Sequence, residues 1–414
     1  MKKVVLVDGA RTPFLKAGTV PGLTASELGI VPAMALIERY PAIPLVVDYV
    51  VGANIGNQVL HPDGSNLGRI LAIRSGIPLK VGAWTVNVNC ATGLHAVIDA
   101  AKTIATGSAQ CVLVIAVEVM SDFSAIYSRD QRAEFIKLMH LLRKKQKSWQ
   151  NVPAFLAQWL KVQFMLHNPL WMIDLGLVDP MTKLRMDRGA DLLAESFHVS
   201  RKEQDLFALR SQKLAYEAQK SGRLAKEIVP FKDIADDNGI RPNQTLEQLS
   251  NLKPLYSGGT VTAGNSSPIT DGACALLLSD EEFAKFMGWP VLAEMQADWW
   301  TLAGCNPKDF GYAPVFAVQK LLDNSRKQVS DFDFIETNEA FAAAVLAQMK
   351  ALDLPEERTN VNGGAIAIGH PLSASGARLV LSCAKELQFS QKALGLVTLC
   401  IGGGQGEALI LENA

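Results

Sequence analysis

The chain has no excess of charge of either sign. Its 40 Lys and Arg stand against 41 Asp and Glu in 414 residues, a net charge of −1, which lacks the electrostatic footprint of a nucleic-acid binder. Six cysteines show no paired metal-ligand spacing, so no metal site is expected. The start, Met1-Lys2-Lys3-Val4-Val5-Leu6-Val7-Asp8, has too short an apolar run for a signal peptide and reads as a strand. The longest aromatic-apolar stretch, residues 155–173, is interrupted by Lys161, Gln163, His167, Asn168 and Pro169, which excludes a transmembrane helix. The final Leu411-Glu412-Asn413-Ala414 is not a peroxisomal address. What remains, 49% apolar and 20% charged, is the profile of a globular protein long enough for two domains or more.

Against that background three distant segments stand out: Asn89-Cys90-Ala91-Thr92-Gly93, residues 363–371 around His370, and Cys400-Ile401-Gly402-Gly403-Gly404. Cys90 falls between a strand-like run, 81–89, and an apolar-periodic stretch, 94–104. That places it at a strand-to-helix turn, where free N–H groups and the helix dipole favour a thiolate. His370 lies among glycine and alanine, where a substrate can reach its imidazole; the unperturbed pKa near 6.5 suits proton transfer. Cys400 ends an apolar strand, 394–399, and runs into a glycine turn able to present amides to an oxyanion. Two thiols and an imidazole among small residues imply acyl transfer through a cysteine thioester. Each also has a structural reading: a buried small cysteine at Cys90, a satisfied histidine at His370, a tight turn at Cys400.

These segments resemble the thiolase family. The resemblance also covers the opening Val7 to Phe14, the segment Gly259 to Ser267 and Asn338-Glu339-Ala340-Phe341-Ala342, in the family's order over nearly the whole chain. It implies Cys90 as the acylated nucleophile, His370 as its activating base and Cys400 as the acid and base toward acetyl-CoA. Asn338 would hold a water that forms one oxyanion hole with the histidine; the Cys90 and Gly402 amides would form the other. On sequence alone Asn338 reads equally as the N-cap of a helix starting at Glu339. For coenzyme A, a substrate rather than a bound cofactor, the resemblance nominates Arg241 at the nucleotide, with Met186, Ala263, Ser267 and Phe341 toward the pantetheine and acyl group. Arg241 alone reads as a solvated charge. Two departures from the family pattern are Asp187 after Met186, where glycine is common, and Thr92 in place of serine.

The fold expected is α/β: two similar βαβαβαββ-type halves in five αβαβα layers with an inserted loop domain. The chain itself suggests duplication, because Ala96–Lys102 before strand 111–117 resembles Arg378–Lys385 before strand 394–399. Expected boundaries are 1–121, a loop domain 122–255, a return 256–285 and a second half 286–414. The loop domain holds Arg143-Lys144-Lys145-Gln146-Lys147 ahead of an aromatic stretch, and residues 143–173 suggest contact with a membrane surface, a partner chain or the acyl tunnel. This extended insert resembles the thiolase subunit of fatty-acid β-oxidation complexes. The expectation is therefore cleavage of longer 3-ketoacyl-CoA, with acetoacetyl-CoA synthesis as the alternative, in a cytoplasmic homo-oligomer. The rivals are another condensing enzyme and a non-catalytic lipid-binding or membrane-tethering shell.

Overall fold

The structure, a computed structural model, describes residues 2–56, 63–143, 152–166, 170–296 and 298–414. Ten strands carry the larger of two units: Val4–Arg11 (β1), Tyr49–Ala53 (β2), Gly82–Val86 (β3), Cys111–Val119 (β4), Thr270–Asp280 (β5), Ala293–Met295 (β6), Trp300–Gly304 (β7), Phe334–Thr337 (β8), Leu394–Ile401 (β9) and Gln405–Asn413 (β10). With the short Leu15–Lys16 they make an 11-stranded sheet, ordered β8-β9-β10-β6-β1-β5-β4-β2-β3, with β7 on β10 and Leu15–Lys16 on β5. β1, β4 and β5 are buried at every position, which is why their sequences run apolar instead of alternating.

Helices cover this sheet on three levels. They are Ala25–Arg39 (α1), Leu67–Arg74 (α2), Thr92–Ala105 (α3), Met186–Ser196 (α4), Arg201–Lys220 (α5), Ala313–Ser325 (α6), Ala342–Leu352 (α7) and Leu372–Ser390 (α8). One core joins Val97 of α3 and Leu379 of α8 to Val112 of β4 and Val397 of β9. A second packs Leu28 of α1 and Leu71 of α2 on the other face, at Leu113 and Leu277. A third packs Val318 of α6 on Leu396 and Ile410. The result is the α-β-α-β-α alternation expected.

The duplication is visible in the pairing. β4 follows α3, runs parallel to β2 and antiparallel to β5; β9 follows α8, runs parallel to β8 and antiparallel to β10. α3 and α8 cross where neither has a side chain: a Cβ on Gly93 would collide with the Ser373 carbonyl, and one on Gly376 with the Leu94 amide. This contact draws the two helix N-termini together. Cys90 and His370 each sit two residues ahead of their helix.

The second unit is Phe123–Val178; residues 179–255 belong with the larger unit. Within it, Ala125–Ile126 pairs antiparallel with Leu170–Trp171, and helices Arg129–Arg143 and Val152–Leu166 pack on each other. Leu138 and Val162 are buried, and Gln158 Nε2 donates to the Glu134 carbonyl at 2.8 Å. Residues 144–151 and 167–169 of the expected insert lie outside the described residues.

Candidate active site

The turn before α3 is held in a form that few residues adopt. Asn89 has φ 46°, a left-handed conformation that asparagine tolerates better than most side chains. Thr92 Oγ1 donates to the Asn89 carbonyl at 2.6 Å and accepts from the Val88 amide at 2.8 Å. The threonine thus uses its hydroxyl to lock the turn, so replacing serine there costs the geometry nothing. Asn89 Nδ2 donates to the Gly402 carbonyl at 2.8 Å, tying the first segment to the third across 313 positions.

Gly402 opens the turn between β9 and β10, with Gly403 and Gly404 at positive φ. Its amide and that of Cys90 lie on the side of the Cys90 sulfur where they favour its thiolate. Burial pushes the Cys90 thiol up; these two amides pull it down, and the Glu118 carboxylate raises it further. At rest Cys90 is therefore a thiol, ionised only as its proton leaves. Cys400 is 2% exposed, and burial together with the neighbouring Cys90 pushes its thiol well above the ordinary cysteine range. Around it pack Met186, Phe310, Ala340 and Phe341.

His370 follows Gly369 (φ 119°), whose missing side chain leaves room for Thr270; the His370 amide donates to Thr270 Oγ1 at 3.2 Å. Its Nδ1 lies 2.6 Å from Ser375 Oγ, and Asn338 Nδ2 lies 3.3 Å from its Nε2. Burial, reinforced by the Arg378 guanidinium, lowers the imidazole to about 4, away from the ordinary value assumed on sequence. At neutral pH it is an uncharged base. Asn338 caps nothing: the helix after it begins at Ala342, with Phe341 as its N-cap. Its amide turns to the histidine instead, and Asn338 Oδ1 is buried without a hydrogen-bond partner.

A carboxylate that sequence reasoning missed stands behind these groups. Glu118, near the end of β4 and fully buried, accepts from the Ile55 and Gly56 amides at 3.1 and 2.9 Å, from Asn54 Nδ2 at 3.2 Å and from Ser373 Oγ at the start of α8. Burial raises it to about 7 against the pull of Ser373 and of the Gly56 and Ile55 amides. The one signal for it is an acid closing an otherwise apolar strand. Ser375 had only its spacing from His370, and Phe310 had none.

The proposed coenzyme residues lie along one track. Arg241 is exposed and lines an open cleft of ≈ 450 Å³ with Gln244, Gln248 and Leu252. Leu252 packs beneath Gly264, beside Ala263. The chain then passes to Ser267, whose amide donates to the Ala340 carbonyl at 3.0 Å, next to Phe341. Asp187 is drawn off by Tyr256 Oη at 2.7 Å and Arg185 Nε at 3.3 Å. The departure from glycine therefore leaves Met186 free to face the Gly402 turn.

Residues 4–282 match the description "Thiolase, N-terminal domain" and residues 290–413 "Thiolase, C-terminal domain". The chain belongs to the thiolase family and is one of its acyltransferases. It is 38% identical to a "Beta-ketoadipyl-CoA thiolase" of Pseudomonas knackmussii, covering 100% of this chain and 99% of that one, and 36% identical to a "Probable acetyl-CoA acyltransferase" of Staphylococcus epidermidis over the same shares. Among solved structures, the Bacillus anthracis acetyl-CoA acetyltransferase aligns with TM-score 0.87 at 31% identity, covering 100% of this chain and 99% of that one. Human mitochondrial 3-ketoacyl-CoA thiolase in complex with CoA aligns with TM-score 0.86 at 31% identity, covering 100% and 98%.

Proposed function

We propose that this thiolase cleaves 3-ketoacyl-CoA with free CoA, giving acetyl-CoA and an acyl-CoA two carbons shorter. The observation that carries the reading is the convergence of three distant segments: Asn89 Nδ2 ties the Cys90 turn to the Gly402 carbonyl at 2.8 Å, Cys400 lies at the end of the strand entering that same turn, and the crossing of α3 and α8 at Gly93 and Gly376 brings His370 in. Cys90 Sγ attacks the keto carbon while its proton passes to neutral His370. The keto oxygen gathers charge against the two amides, where one donor is worth about 10² to 10³ in rate. The bond between the keto carbon and its α-carbon then breaks. Cys400 protonates the departing acetyl-CoA carbanion, whose thioester oxygen is held by protonated His370 and by a water on the unpaired Asn338 Oδ1. CoA next attacks the acyl-Cys90 thioester as its thiol proton goes to the Cys400 thiolate. His370 returns its proton to Cys90 as the new acyl-CoA leaves, and every group ends as it began.

In this reading Arg241 meets the nucleotide of CoA, Ala263 and Ser267 flank the pantetheine, and Met186 and Phe341 wall the acyl group. A guanidinium suits phosphate, and the cleft-to-turn track supplies the path. No metal or resident cofactor takes part. Six free cysteines favour a reducing, cytoplasmic setting, and β3, which ends the sheet path, offers an edge to a second copy in a homo-oligomer. The relative named for β-ketoadipyl-CoA favours a 3-ketoacyl group longer than acetoacetyl; the likeness to an acetyl-CoA acetyltransferase favours the alternative, condensation of two acetyl-CoA.

Incubation with acyl-CoA followed by peptide mass spectrometry is expected to find the acyl group on Cys90; its absence from active protein overturns the assignment. Thiolysis rates across a ladder of 3-ketoacyl-CoA lengths decide between the two substrate readings. A maximum at acetoacetyl-CoA selects the alternative.

A further inference from the structure

We propose that His95 and Glu407 form a positioning ion pair for the reaction: they fix the Cys90 turn against the Gly402 turn and so set the rate at which Cys90 is acylated. The inference rests on the thioester reading above and concerns two residues outside the catalytic set. Along β10, Glu407, Leu409 and Leu411 fall on one face, and Leu409 and Leu411 share a core with Val97 and Ile104 of α3. Glu407 stands in that apolar series and is fully buried, a position that carboxylates hold only when paired. Its partner comes from the segment matched to the other thiolase domain. His95 Nδ1 lies 2.7 Å from Glu407 Oε1, within the range of a charge-assisted hydrogen bond. Glu407 Oε2 is buried with no hydrogen-bond partner, so the carboxylate depends on that one bond.

Both ends of the pair stand directly behind the reacting turns. The His95 amide donates to the Ala91 carbonyl at 2.8 Å, the bond that opens α3 just after Cys90. Glu407 follows Gly406, which sits opposite Cys400 in the register of β9 and β10, and Thr398 Oγ1 donates to the Glu407 carbonyl at 2.8 Å. A shift of His95 is therefore passed to the Cys90 turn, and a shift of Glu407 to the Cys400 strand. Asn89 Nδ2 already joins the two turns at an exposed position. One tie leaves a hinge; the second, buried tie fixes the angle.

The charged groups acting on the pair are Asp99, whose Oδ1 lies 3.7 Å from His95 Nε2, and Lys102, whose ammonium sits 3.5 Å from the centre of the Trp300 ring. Opposite Glu407 on β7 and β9 stand the uncharged Leu302 and Leu399. The hydrogen bond from Glu407 holds His95 above its ordinary value against the pull of burial. Burial raises Glu407, and His95 opposes that rise. As pH climbs through the raised value, His95 loses its proton and a buried carboxylate is left facing a neutral ring.

The test compares full-length His95→Gln, Glu407→Gln, their double variant and Glu407→Leu, the last extending the series of Leu409 and Leu411. Rapid-quench peptide mass spectrometry reads acylation of Cys90 by acyl-CoA, and steady-state thiolysis gives kcat and KM. Each single variant should slow acylation and lower kcat on the order of tenfold, with KM within about twofold. The double variant should be no slower than the worse single, because the two side chains act as one unit. Glu407→Leu should resist urea as well as the parent or better and still be slow, which separates positioning from support of the fold; Glu407→Gln, isosteric with the carboxylate, carries the comparison by itself. The ratio of parent to Glu407→Leu kcat should shrink as pH rises above neutral, where the parent loses its own pair. Parental kcat in Glu407→Leu and Glu407→Gln, losses that multiply in the double variant, or a ratio flat with pH each overturn the proposal. Acylation of Cys90 at the parental rate in every variant overturns it alone; an active parent with no acyl group on Cys90 overturns the thioester reading and this proposal with it.

Discussion

The catalytic centre and the helix pair of residues 123–178 treat their side chains in opposite ways. At the candidate catalytic centre most polar side chains are spoken for: Asn89 holds Gly402, Thr92 locks its own turn, and the buried Glu118 takes four donors. The helix pair buries Leu138 and Val162 but leaves Leu160 and Phe164 half-exposed or more. A buried polar network is costly to break, because each orphaned group keeps its full desolvation penalty. An exposed apolar stripe costs the folded chain little and acts only when something covers it. Preorganisation marks the first region, exposed apolar surface the second.

The largest effect should therefore come from the centre. Cys90→Ser should lower thiolysis on the order of 10⁴-fold or more, measured as steady-state CoA-dependent cleavage, with unfolding little changed; retention of activity would remove the thioester route. Asn338→Ala should cost about 10² to 10³ in kcat with a smaller change in KM, since its amide is aimed at the reacting region and not at the coenzyme cleft. An effect on KM alone would make it a binding residue.

How far the sequence went follows the same division. Cys90, His370 and Cys400 stand out in the sequence as candidates because each is set in small residues, a local signal that survives without knowing the fold. The layered α/β architecture was legible because strands such as β4 are apolar throughout and because the helix-strand unit recurs. Glu118 was not: its donors come from residues 54–56 and 373, and no local pattern joins them. Asn338 was ambiguous for a related reason. A short polar side chain before a helical stretch serves as a cap or as a tertiary contact, and only the start of α7 at Ala342 and the nearness of His370 decide between them. The outward stripe was only partly legible, since helical spacing shows that a face exists but not which side the partner helix takes.

The two titratable groups behind the nucleophile give the next effect, and their signs oppose. His370 is lowered to about 4. The unfolded chain binds its proton first, so stability is lost as pH falls from about 6.5 to about 4, by about 3 kcal/mol. Glu118 is raised to about 7. The unfolded carboxylate ionises first, so stability is lost as pH rises from about 4.5 to about 7, again by about 3 kcal/mol. In the parent protein the two slopes should largely cancel between these limits. Urea unfolding of Glu118→Gln should then show stability falling on acidification, and His370→Gln the reverse. Parallel curves for parent and Glu118→Gln would mean that Glu118 does not titrate in this range.

The smallest effects should lie within the helix pair, where neighbouring positions of one helix test the contrast directly. Val162 is 4% exposed and Leu160 is 50% exposed, two residues apart in Val152–Leu166. Val162→Ala removes methyl groups packed against the partner helix and should cost about 1 kcal/mol or more, since deleted buried methyls leave a cavity behind. Leu160→Ala removes more carbon atoms, yet should stay within about 0.5 kcal/mol, because half of that side chain already meets water. Hydrogen exchange of amides in the two helices measures the comparison locally. If Leu160→Ala proves the costlier change in the free protein, the stripe is already covered in solution, and the distinction between a saturated centre and an unsatisfied face fails at that point.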